Sequence, residues 1–270
     1  MILDKSYVQS AKSSDVEELA INNDLYLTEA FLYEVIKNDN KNRSTFLKKL
    51  SNQNGEPLYK ILPNANIMLL HEVNEKKPTF QDYMSFVNER DYSIHSSLAD
   101  ENYDLTEEYT AVLEKMRETV NNGTLSLFSH IRSFGKMYDY LITEAKSKNV
   151  DLEEFIVSDF AVKYIGVVLK FGFDKDMERE KKTERFPEIK DLNEAWFIYR
   201  FIQVYNLISL DIISRYPDLT VLLNSKKSVE KLRHDYLDLE YLLWAVSFKA
   251  FQTKENKLNR WYNLLTSNSS

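Results

Sequence analysis

The stretch HDYLDLEYLLWAVSFKAFQTKENKL, residues 234–258, decides how this chain is read. It opens with two acids three residues apart, Asp235 and Asp238, and runs into an apolar helical pattern over 236–247. A short strand-like KAFQT follows, then a turn, KENK, holding a third acid, Glu255. Helix, then strand, then turn, then helix is α/β grammar. Asp235 stands where an N-cap would, and Asp238 at N3 gives the start a capping-box look. Both would favour the helix dipole. Yet Leu239, Leu242 and Val246 follow Asp235 by four, seven and eleven residues, so its carboxylate lies on the line of the buried stripe. Burying it alone costs several kcal/mol, so it needs a partner. Capping and a metal ion at the edge of the core both answer that need.

The N-terminus repeats the pattern. MIL reads as a short buried strand ending abruptly at Asp4, and a helix is expected over 6–22. LYL (25–27) is a second apolar run, Thr28 a helix N-cap, and AFLYEVIK the helix that follows. Glu34 falls on the flank of that helix's apolar face, which Phe31, Leu32, Val35 and Ile36 form. In open α/β sheets the carboxyl ends of strands are where ligands bind, and Asp4 and Glu255 each sit just past one.

The middle is helical. Apolar residues recur at three and four through Tyr109, Val112, Leu113, Met116, Leu127, Ile131, Phe134, Met137 and Leu141, with Asn-Asn-Gly at 121–123 read as the break between two helices. A further helix is expected over 151–172 and another over 191–215. Between these two, residues 174–190 carry six acids and six bases and read as a solvated linker. The expected organisation is a discontinuous α/β domain, 1–58 and 191–270, around a helical insertion, 59–190.

Composition bounds the function. Among 270 residues 43% are apolar, enough for a substantial core, and Gly and Pro number only five each. The net charge of −7 excludes a uniformly basic nucleic-acid binder, so any such site is a local basic patch. Cysteine is absent, which excludes disulfides and thiolate metal sites. The first residues carry charge with no apolar run behind them, and FIVSDFAVKYIGVVLKFGF is interrupted by Asp159, Lys163 and Lys170. A soluble cytoplasmic protein with no membrane partner is expected.

The acids acquire meaning together. Two carboxylates ~4 Å apart repel by about 4 kcal/mol at an effective dielectric of 20, so a cluster of four or five persists only with cations. Oxygen ligands, no cysteine and no histidine pair at ligand spacing point to Mg²⁺ or Mn²⁺ rather than zinc. Two such ions suit phosphodiester hydrolysis.

With these residues on the page, ILDKSYV, LYLTEAFLYEVI and HDYLDLEYLLWAV…AFQTKENKL together resemble the PIN domain, the PilT N-terminus-like nuclease fold. The match covers roughly 1–37 and 232–262. By this resemblance the sheet is parallel and flanked by helices, with the long helical region as an elaboration. Asp4 takes the place of the acid that ends the first strand, Glu34 that of the acid in the second helix, and Asp235 and Asp238 both fall where the third belongs. Glu255 stands where the last belongs, in a Thr-x-acid pattern with Glu in place of Asp. Ser6 and Thr253 would support the first and last acids. The resemblance implies a metal-dependent endonuclease with Asp4, Asp235, Asp238 and Glu255 as ligands to Mg²⁺ or Mn²⁺. RNA is the expected substrate in preference to DNA, in a toxin, defence or processing role, with a protein partner or inhibitor to match. Lys254, Lys257 and Arg260 would supply the basic rim that holds phosphate near the metal. Trp261 is expected in the core.

Three other readings compete. A degenerate PIN-like fold would serve as a non-catalytic scaffold, and Glu255 in place of Asp leaves room for it. His234-Asp235 evokes metal-dependent HD phosphohydrolases, with His130 the nearest upstream histidine. Arg90 and His95, with four residues between them, resemble the Arg-x4-6-His element of metal-independent HEPN ribonucleases.

Overall fold

The computed structural model describes residues 1–87, 95–216 and 218–267. It is a helix-rich α/β fold built on a small four-stranded parallel sheet. The chain opens β1 (Ile2–Leu3), α1 (Lys5–Ser10), α2 (Ser13–Asn22), β2 (Leu25–Leu27), α3 (Glu29–Ile36), α4 (Asn40–Lys49), β3 (Tyr59–Ile61) and α5 (Ala65–Glu75). The helical part holds α6 (Phe80–Val87), α7 (His95–Leu98), α8 (Glu107–Lys148), α9 (Leu152–Ile156) and α10 (Asp159–Arg179). It ends with α11 (Phe197–Arg215), α12 (Lys226–Phe248), β4 (Phe251–Gln252) and α13 (Asn256–Ser267).

The strand order is β3-β2-β1-β4, and every pair is parallel. Both faces of the sheet are covered, and the period-two alternation of a strand shows it. Ile2 and Tyr26 belong to one apolar cluster, with Trp244, Phe197 and Ile202; Leu3, Leu25 and Leu27 belong to the other, with Phe31, Val35 and Leu47. Strands buried on both sides read as unbroken apolar runs, which is why MIL and LYL carry no alternation. α12 feeds both clusters, through Leu242 and Trp244 on one side and Leu237 and Tyr241 on the other.

Several boundaries differ from the sequence reading, each for a physical reason. α8 runs unbroken through Asn-Asn-Gly, because Gly123 is a contact position and not a turn. A Cβ there would lie 2.2 Å from Cζ of Tyr236, so the missing side chain lets the Tyr236 ring of α12 lie against α8. α12 begins at Lys226, with Ser225 as its N-cap, so Asp235 sits well inside the helix and caps nothing. The helix expected over 6–22 is two, separated at the extended residues Ala11 and Lys12. Residues 59–61 form β3, paired with β2 from Leu25↔Tyr59 to Leu27↔Ile61, so the sheet extends past the boundary drawn at 58. α5 is tied in too: Glu72, fully buried, accepts the backbone N–H groups of Phe197 and Ile198 at 2.9 Å each and caps α11. Thr28 caps α3 as expected, accepting from Phe31 N at 3.1 Å. Among the described residues no helix is long and apolar enough to cross a membrane.

Candidate functional site

The strand order fixes where a site can form. After β1 the chain steps to β2 and β3 on one side, and β4 joins β1 on the other. The order therefore reverses between β1 and β4, and ligands in open α/β sheets bind outside the carboxyl ends of strands at such a switch point. Asp4 follows β1 and Thr253–Glu255 follows β4.

Asp4 is 3% exposed and held from two directions. Its Oδ2 accepts from Thr253 Oγ1 at 2.7 Å and also from Ser6 Oγ. Each hydroxyl is satisfied in turn by a backbone amide: Lys254 N donates to Ser6 Oγ at 3.1 Å, and Glu255 N donates to Thr253 Oγ1 at 3.0 Å. One hydroxyl proton each goes to Asp4 and one lone pair each takes an amide. Ser6 and Thr253 thus join the ends of β1 and β4 and fix the carboxylate of Asp4 between them.

Glu34 arrives from α3, buried at 6% exposure. Its Oε2 accepts from the Tyr241 hydroxyl at 2.9 Å and its Oε1 lies 3.4 Å from Lys5 Nζ. Burial pushes the Tyr241 phenol far above its ordinary value, and Glu34 and Asp4 push it further. Asp238, from α12, is raised well above the usual carboxylate range, first by burial and then by Glu255, Asp235 and Asp4, against the opposing pull of Lys257. Glu255 is raised as well, by partial burial, then Asp4 and Glu34, again against Lys257. Asp4, Glu34, Asp238 and Glu255 therefore lie near enough, at the carboxyl ends of β1 and β4, for their charges to act on one another. For Asp238 and Glu255, repulsion from neighbouring acids adds to the larger effect of burial.

Asp235 has a different environment. It is buried, as its place on the apolar stripe required, but its partner is Arg215, whose Nη2 lies 2.6 Å from Asp235 Oδ2. Arg215 also reaches Asp211 at 3.0 Å, and Lys257 Nζ stands 3.4 Å from Asp211, 3.8 Å from Asp235 and 3.6 Å from Asp238. Lys257, itself over the Trp261 ring at 5.0 Å, links the Arg215 network to the strand-end acids. Lys5, Tyr241, Asp211 and Arg215 have parts here that sequence reading missed. The one available signal was the Asp-x-x-x-Arg spacing of 211 and 215 on α11, which permits an ion pair on one helix face.

The basic rim divides. Lys254 is exposed beside the group, its Nζ 6.0 Å from the Tyr7 ring. Arg260 is turned to α9, with Nη2 2.5 Å from Glu153, which also accepts from Trp261 Nε1 at 3.2 Å. Trp261 is core, at 2% exposure. His234 lies 3.7 Å from Glu230 on the open side of α12, and His130 stacks on Phe134, so neither builds an HD-type centre. Arg90 and the side chain of His95 lie outside the described residues.

The donor set fits a hard divalent cation in chemistry: carboxylate oxygens, no thiolate, and like charges that a cation would relieve. Among the described residues no three His, Asp or Glu side chains stand in a group that could hold a metal as they lie. Lysine ammonium groups stand 3.4 Å from Glu34 and 3.6 Å from Asp238 instead. Comparison with family models, with curated proteins and with solved structures finds no match for this chain.

Proposed function

We propose that the chain is a PIN-like, metal-dependent endonuclease acting on RNA, with its centre at the carboxyl ends of β1 and β4. The observation that carries this is the placement of Asp4: buried, locked by Ser6 and Thr253 at the switch point of a parallel sheet, and faced by Glu34, Asp238 and Glu255. Mg²⁺ or Mn²⁺ would be held by Asp4, Asp238 and Glu255, with Glu34 close by. Asp235 is a poorer ligand, because Arg215 already holds it. When bound, such ions lower the pKa of an attacking water and stabilise a leaving oxygen. The chain's own part is to fix the carboxylates. Ser6 and Thr253 fix Asp4, Tyr241 fixes Glu34, and Lys5, Lys254 and Lys257 supply positive charge where a phosphate backbone approaches.

A second reading rests on a specific observation. Lys5 and Lys257 already stand against the acid group, as counter-ions would in a PIN-like fold that has given up catalysis for docking in a complex. One experiment separates the two. Labelled single-stranded RNA and DNA are incubated with the purified chain in Mn²⁺, Mg²⁺ or EDTA, beside Asp4→Asn and Asp238→Asn. Metal-dependent cleavage of RNA that both substitutions abolish is the expected result. Cleavage that survives EDTA overturns the metal site, and activity equal in both variants removes the centre from these residues. No cleavage under any condition leaves the docking reading.

A further inference from the structure

A second group of polar residues lies on the other side of α12, independent of the nuclease reading. A cavity of about 500 Å³ opens between α5, α8, α11 and α12, and Glu240 lines it. A smaller cavity of about 280 Å³ adjoins, sharing Glu240, Asn64, Thr119 and Tyr236. Glu240 is 7% exposed. The backbone amides of Glu29 and Ala30, in the first turn of α3, hydrogen-bond its carboxyl group, but its Oε1 is buried without any hydrogen-bond partner. A buried carboxyl oxygen left unpaired bears the full cost of its lost hydration. The nearby acid Glu29 makes this worse, and Glu29 already has a donor of its own in Asn64 Nδ2, at 2.8 Å.

The surroundings say what would satisfy it. Among the described residues no lysine or arginine lines the larger cavity, and Lys115 lines only the smaller one, so a phosphate or carboxylate in the larger cavity finds no such counter-charge. The rings of Tyr236, Phe201 and Tyr205 do line it, and aromatic faces attract cations. The volume falls within the range of small-molecule sites. Apolar wall, aromatic rings and one unpaired acid are the parts of a site for a positively charged organic group.

We propose that this cavity binds a small organic cation bearing N–H groups, an alkyl ammonium or a guanidinium, which donates to Oε1 of Glu240 beside the Tyr236 ring. The source of that cation, a free diamine or a free guanidine, is decided by comparing the two. Isothermal titration calorimetry is run at pH 9, where Glu240 is ionised in the free chain, with 1,4-diaminobutane, with agmatine and with the neutral 1,4-butanediol, on wild type, Glu240→Gln and Ser126→Trp. The second substitution places bulk at an exposed residue of the cavity mouth and does not depend on how the chain tolerates a change at Glu240. The expected result is binding of one or both cations but not of the diol, weakened at least tenfold in both variants. Binding that persists unchanged in both variants belongs to the strand-end carboxylates and overturns the assignment. Equal binding of the diol removes the charge requirement, and no binding of any probe removes the site. None of these outcomes bears on RNA cleavage, so this inference and the nuclease reading fail separately.

Discussion

Glu240 allows a stability prediction with a definite sign and size. Burial, and then Glu29, push its carboxyl up from 4.5 to about 8. In the unfolded chain the proton leaves near 4.5, so between these values the folded chain holds a proton that the unfolded chain has lost. Protonation therefore favours the fold. The contribution is complete below pH 4.5, shrinks as pH rises, and is gone once pH passes about 8. At about 1.4 kcal/mol per pH unit over the interval from 4.5 to about 8, the whole contribution is about 5 kcal/mol, and about 3 kcal/mol of it is lost between pH 6 and 9. Glu240→Gln keeps the size and most of the hydrogen bonding but cannot titrate. Urea unfolding followed by far-ultraviolet circular dichroism at unit steps from pH 6 to 9, on both proteins, isolates the effect, because groups common to both cancel in the difference. Wild-type stability minus that of the glutamine variant should fall by about 3 kcal/mol across this range. Parallel stability curves would mean that Glu240 ionises in the folded chain near its ordinary value. The account of an acid held neutral below about pH 8 in the free chain, between α12 and the first turn of α3, would then be wrong.

Three further predictions concern the fold and the strand-end group. Gly123→Ala puts a Cβ 2.2 Å from Tyr236 Cζ and should lower stability by about 1–3 kcal/mol; Gly135→Ala, with open space around it in the same helix, should raise stability by up to about 1 kcal/mol, both read as Tm. Thr253→Val keeps shape but removes the 2.7 Å donor to Asp4, so RNA cleavage in Mn²⁺ should fall about tenfold or more while Tm changes little; unchanged cleavage would deny Asp4 its need for orientation. Lys257→Met removes the cation shared by Asp211, Asp235 and Asp238, so Mg²⁺ should raise the variant's Tm more than it raises that of wild type, whereas a docking fold would show no such gain.

The strand-end acids were legible because each carries a local signature. Asp4 interrupts an apolar run, Glu255 follows a strand and a hydroxyl residue, and Glu34 flanks a dense apolar face behind the N-cap Thr28. Their meeting in space was legible only through parallel-sheet logic, which brings the carboxyl ends of neighbouring strands together. Asp235 shows where that reading stops. Its burial followed from its place on the stripe, but its partner Arg215 lies on α11, twenty residues back across a turn, and no periodicity links the two. β3 escaped because Lys60 breaks the apolar run of Tyr59–Ile61, so between Pro57 and Pro63 it lacks the unbroken apolar signature of MIL and LYL. Gly123 misled for the opposite reason. Glycine is the commonest mark of a turn, and only the three-dimensional position of Tyr236 turns it into a mark of close packing.

Charge is what separates the two readings of the strand-end group. Asp4, Glu34, Asp238 and Glu255 would bring four negative charges; the lysines within ion-pair distance, Lys5 and Lys257, return two, and the exposed Lys254 beside the group pairs with none of them. Lys257 is further divided, since Asp211 and Asp235 also lie within 4 Å of it, and Arg215 compensates only those two. A purely structural ion-pair network tends toward balance, because each uncompensated buried charge costs several kcal/mol. Within ion-pair distance the shortfall of two charges equals the charge of one divalent cation. Burial first, and neighbouring acids after it, push the carboxyls of Asp238 and Glu255 upward, so these two take up protons more readily than free carboxylates do. Protons are the weaker substitute, since they silence the acids that they neutralise. A divalent ion would neutralise the same acids and leave their oxygens as ligands, which is why the imbalance favours a metal-binding centre over a docking fold.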